Sequence, residues 1–110
     1  MPGKRNKRIA VLLSTVPDRR TGRRLAKALV EEKLAACVNI LPGLESVYRW
    51  QGRVHRDAEV LLVAKTTTPA APRAMARLRA LHPYEVPEIV RLDSADVLSA
   101  YGAWVRGSTR

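Results

Sequence analysis

Between Ala35 and Thr67 the sequence reads as two strands laid back to back, and their length constrains the fold more than any other feature. The first begins at Ala35-Ala-Cys-Val-Asn-Ile-Leu41 and breaks at Pro42-Gly43 as a bulge or turn. It then resumes its alternation through Ser46-Val-Tyr-Arg-Trp50. Gln51-Gly52 suits a hairpin tip, because glycine reaches the positive φ such a turn requires. The return strand runs from Val54 to Thr67, centred on Val60-Leu-Leu-Val-Ala64. A chain of 110 residues cannot cover so long a ribbon. Its end, from about Ser46 to His55, is expected to project as a two-stranded arm, with Tyr48 and Trp50 on one side of it. An isolated hairpin is marginal in water, so this aromatic side is expected to pack on a neighbouring subunit rather than on its own sheet.

The flanking segments complete a β-α-β-β-α-β order. Ile9–Val16 is a short apolar run that suits a strand covered on both faces. Asp18 or Thr21 can cap a helix whose inner residues are Leu25, Ala26, Leu29 and Val30, ending about Leu34. Pro69 and Pro72 open a second helix with Ala71, Met75, Leu78 and Leu81 on one face, and His82-Pro83 closes it. Pro87–Leu92 reads as the last strand. Asp93 or Ser94 then caps a terminal helix with Val97, Tyr101, Trp104 and Val105 inward. This order predicts an α+β, ferredoxin-like antiparallel sheet with its crossover helices on one face and an extra C-terminal helix. One domain, 9–106, is expected between a basic tail, 1–8, and a short tail, 107–110.

Charge and composition exclude several classes. The longest apolar run, Ile9 to Leu13, is far short of a membrane helix, so no membrane partner is expected. The basic start lacks a signal-peptide core and cleavage site. Cys37 is the only cysteine, which excludes an internal disulfide and a Cys-built zinc site; a reducing, cytoplasmic setting fits best. Lys and Arg number 20 against 10 Asp and Glu, with clusters at Lys4–Arg8 and Arg19–Arg24. Clustered guanidinium groups can bind phosphates. No aromatic residue lies within those clusters, however, and the expectation is against nucleic acid.

No phosphate-loop, nucleophile-elbow or metalloprotease pattern occurs, and no enzymatic activity is expected. The unusual segment is His82-Pro-Tyr-Glu-Val-Pro-Glu88, stiffened by two prolines and carrying an imidazole, a phenol and two carboxylates. Imidazole with carboxylate suits Cu(II) or Zn(II). Fully extended, the segment spans roughly 20 Å, so His82 and Glu88 share an ion only if it bends or if another subunit adds a ligand. From spacing alone the weightier reading is structural, with His82 at a helix C-terminus and Glu88 solvated. Thr15, Lys65 and Arg91 would be the polar contacts of a small-ligand pocket between subunits; ordinary strand-end solvation is preferred for them.

The strings Leu34–Gly43, Ser46–Gly52, Lys65-Thr-Thr67 and His82–Ile89, in this order, closely resemble the CutA family of divalent-cation tolerance proteins, over about residues 9–106. The resemblance implies a fold similar to the PII signalling proteins, a homotrimer joined through extended β-arms (here Tyr48 and Trp50) and a role in tolerance to copper and other divalent metals. Its implied copper ligands are a cysteine after the first strand and the His and last Glu of the His-Pro-Tyr motif. His82 and Glu88 match. Ser14 occupies the cysteine position, which removes the soft ligand that Cu(I)-type coordination asks for. A divalent metal, Cu(II) first and not necessarily bound at all times, is the implied ligand; a PII-like regulatory module without a dedicated metal role is the alternative.

Overall fold

The computed structural model describes residues 8–110. The element order is β1 (Ile9–Val16), α1 (Arg19–Glu31), β2 (Cys37–Trp50), β3 (Arg53–Thr67), α2 (Ala71–Leu81), β4 (Val90–Asp93) and α3 (Ser99–Ser108). The four strands form one antiparallel sheet in the order β2-β3-β1-β4. This is the expected α+β, ferredoxin-like arrangement, with the extra helix at the C-terminus.

Alternation along the strands separates two faces of different character. Ala10, Leu12 and Val16 of β1, with Val60, Leu62 and Ala64 of β3, pack against Leu25 and Leu29 of α1 and Ala74 and Leu78 of α2. This is the main core. The other face carries Val11, Leu13, Leu61 and Val63 half-buried, with Leu41, Val90 and Leu92 exposed. Among the described residues, cover lies at one end of it, where Val105, Val97 and Tyr101 pack with Ile9 and Ala36.

The long hairpin forms as expected. Its ladder runs from Cys37↔Lys65 to Trp50↔Arg53 and is interrupted once, between Leu41 and Leu44, where Gly43 takes φ 84. Gln51 and Gly52, at φ 52 and 77, make the two-residue tip. The arm stretches the molecule to 50 × 25 × 23 Å.

Several boundaries differ from expectation. Asp18 caps α1, its carboxylate accepting from Thr21 N–H at 2.7 Å. The helix ends at Glu31, because Lys33 turns left-handed (φ 59) and the Lys33 and Leu34 N–H groups bond back to Val30 and Leu29. Val30 is 41% exposed instead of inward. β4 begins only at Val90: Pro87 has no N–H for a ladder, and the Thr15 carbonyl is taken by His82. Neither Asp93 nor Ser94 caps α3. Asp93 binds Arg91, Ser94 bonds the Ile9 carbonyl, and the helix starts after Leu98 without a side-chain cap. Gly102 and Val105 are its buried residues, while Trp104 is half exposed. Residues 107–110 are not a free tail, since α3 reaches Ser108 and Arg110 bonds the Lys33 and Glu32 carbonyls. The expected basic tail, 1–8, lies outside the described residues except for Arg8, whose carbonyl accepts from Thr68 N–H.

Candidate functional site

His82 leaves α2 in an extended conformation and is buried against the end of β1. Its Nε2 lies 2.8 Å from the Thr15 carbonyl, and its Nδ1 accepts from Tyr84 N–H at 3.1 Å. A carbonyl can only accept, so the ring is held with its proton on Nε2 and its lone pair on Nδ1. The imidazole seals the stretch of β1 edge that the short β4 leaves open. It also packs on the Tyr84 ring, with centroids 4.8 Å apart.

Beyond Tyr84 a cleft of about 730 Å³ opens between the arm and the 83–88 segment. Cross-strand pairing explains which arm residues face it. Ser46↔Asp57 and Tyr48↔His55 are paired, Leu44 lies opposite Glu59, and all belong to the side that carries Trp50. The Tyr84 hydroxyl donates to Glu59 at 2.7 Å and fastens the segment to the base of the arm. Tyr48 donates to Asp57 and stacks on His55 at 5.4 Å. Burial, and then the Glu59 carboxylate, hold the Tyr84 phenol well above the usual tyrosine range. The bond to Asp57 raises that of Tyr48. Glu85 and Glu88 complete an acidic lining in a basic chain.

The expected metal residues are distributed unequally over this site. Glu88 is exposed on the cleft. His82 stands behind the cleft wall with both ring nitrogens engaged. Ser14 alternates to the helix-facing side of β1, opposite to Thr15; it is 1% exposed and its hydroxyl has no partner. Among the described residues no group of three or more His, Cys, Asp or Glu is gathered to hold an ion. The three residues therefore make no ready chelate within one chain.

Tyr48 and Trp50 do share the arm's cleft side and stay 40% and 42% exposed. The small-ligand candidates are not brought together. Thr15 lines the cleft, but Lys65 binds Asn39 on the open sheet face and Arg91 binds Asp93 on the opposite one. Sequence reasoning missed Asp57 and Glu59. Their signal was the two-residue period that puts both carboxylates on the aromatic side of the arm.

A sequence model described as CutA1 divalent ion tolerance protein matches residues 10–108. The chain is 58% identical over 99 residues to the divalent-cation tolerance protein CutA of Thermus thermophilus, covering 90% of this chain and 96% of that one. It is 45% identical over 100 residues to the chloroplastic protein CutA of Arabidopsis thaliana, covering 91% of this chain but 55% of the longer relative. The solved divalent cation tolerance protein of Thermus thermophilus superposes with a TM-score of 0.89 at 56% identity, over 93% of this chain and 99% of that one. CutA1 from Oryza sativa superposes at 0.91 with 43% identity, over 96% of each.

Proposed function

The chain belongs to the CutA1 divalent ion tolerance family, and from that premise we propose that it is a homotrimeric, cytoplasmic protein that binds divalent metal, Cu(II) foremost, in metal tolerance. The observation that carries this reading is the His82 tautomer beside an acidic cleft. Nε2–H donates to a backbone carbonyl, the orientation in which a histidine offers its other nitrogen to a metal. That nitrogen, Nδ1, accepts from Tyr84 N–H, a bond that metal binding would replace, while Glu88 and Glu85 line the adjacent cleft. His82 and Glu88 would hold the ion, and the missing ligand would come from a second copy. Hard carboxylates with one imidazole suit Cu(II) or Zn(II) better than Cu(I), in keeping with serine at position 14.

Assembly is supported by the apolar sheet face that α3 leaves uncovered and by the arm's half-exposed aromatics. Free Cys37, the single cysteine, suits a reducing compartment. No activity as an enzyme is proposed.

Calorimetric titration of metal-free protein with Cu(II) tests the metal reading. Parent protein is expected to bind, with His82→Ala and Glu88→Gln each at least tenfold weaker. Binding should also weaken in acid, where protons compete for ligands. Equal affinity in all three proteins would remove this site.

A further inference from the structure

We propose that the outer face of α1 is a docking surface for the phosphate backbone of double-stranded nucleic acid. Gly22, Leu25, Ala26 and Leu29 turn inward, which leaves Arg20, Arg23, Arg24 and Lys27 at helical spacing on the exposed side. Among the described residues none of these four forms an ion pair. Arg24 reaches only the Leu81 carbonyl, at 3.3 Å. Asp18 is occupied as the cap, although Arg20 and Arg24 help hold its carboxyl below the usual range after its bonds to Thr21, and Glu31 stands four residues beyond Lys27.

The arrangement opposes the helix dipole. The first turn of α1 has no acid and its last turn has no base, while Glu31 and Glu32 sit at its C-terminal end. Cations at the positive end of a helix weaken it, so folding does not account for their position. An anionic partner does. The carboxylates of the arm and its cleft lie away from this surface, and the apolar sheet face lies on the opposite side from α1, so self-assembly there would leave the cations open.

The chemistry favours a duplex over other polyanions. Arg20 to Lys27 spans about 10 Å of helix, and a duplex offers one charge per roughly 1.7 Å. α1 carries no Asn or Gln to pair with adenine, and contacts of its Arg and Lys with phosphates carry no base information, so the proposed backbone docking is independent of sequence. The absence of aromatics, on which the expectation against nucleic acid rested, bears on stacking with single strands and is no obstacle to contacts with the phosphates of a duplex. The apolar side of α1 is committed to the core and cannot enter a lipid surface.

The test is fluorescence anisotropy with a 20-base-pair DNA duplex, titrated from 50 to 200 mM salt. Four phosphate contacts predict a slope of log K on log salt of about −3.6, or roughly a 100-fold loss over that range. Arg20→Gln/Arg23→Gln/Lys27→Gln should lower the slope to about −0.9 and weaken binding at 50 mM at least tenfold. Arg49→Gln/Arg53→Gln/Arg56→Gln, with the same charge removed from the arm, should bind like the parent, thermal melts showing both variants folded. Equal losses in the two variants would reduce the effect to net charge and overturn the proposal. So would failure of the parent to bind duplex at 50 mM, or α1-dependent binding to phosphatidylserine vesicles without binding to duplex.

Discussion

A hydroxyl sealed away from water keeps its desolvation cost until it finds a partner, and Ser14 Oγ has none. It lies on the core side of β1 between Leu12 and Val16, both fully buried. Replacing it by alanine removes the unsatisfied group and leaves a void of only one atom. Ser14→Ala is therefore expected to raise the unfolding free energy by about 1 kcal/mol, read from urea denaturation midpoints at constant m-value. A loss of stability would show that the hydroxyl is partnered. His82 shows where single residues stop being legible. The sequence marks it as the end of α2 and a metal candidate, but the hydrogen bond that fixes its tautomer goes to a strand 67 positions away. Ser14 is the same case, because its side of the sheet is set by which strand face the helices choose.

At the level of elements the arm was the most legible feature, because period-2 alternation and a Gln-Gly tip are local signals. The starts of β4 and α3 were less so. Pro87 to Ile89 have strand-like chemistry but lose their ladder partner to an imidazole, and the two residues suited to cap α3 are consumed by the sheet edge. What joins arm to loop is the Tyr84–Glu59 bond, which pattern alone does not reveal. Tyr84→Phe is expected to cost about 1 kcal/mol near neutral pH. The native state holds the Tyr84 proton more tightly than the unfolded chain, whose phenol titrates near pH 10. This contribution is complete below that pH and is lost as pH rises toward the higher folded value. The stability gap between parent and variant should therefore narrow above pH 10 in denaturation curves. Tyr48 shifts in the same direction but is present in both proteins. A gap constant from pH 7 to 11 would contradict the bond.

For the whole molecule the open side of the sheet decides the state in which it works. Leu41, Val90 and Leu92 are 44%, 43% and 52% exposed there, continuous with half-buried Val11, Leu13, Leu61 and Val63. A monomer would leave this apolar surface in water, alongside an arm too long to cover it. In the proposed homotrimer, further copies of the chain bury what the helix layer on the other face and the short helix over one end leave open. Light scattering of the parent protein is expected to give about three times the chain mass of 12.2 kDa. Leu92→Asp places a carboxylate on each copy's share of that surface without touching the helix-side core, so its cost falls on association rather than on the chain's own packing. The variant is expected to scatter at the mass of one chain and to melt at a lower, concentration-independent temperature, because it has lost the stabilisation that binding adds to the native state. A parent that scatters as one chain, with its tryptophans already shielded from quencher, would mean that the arm and sheet cover themselves.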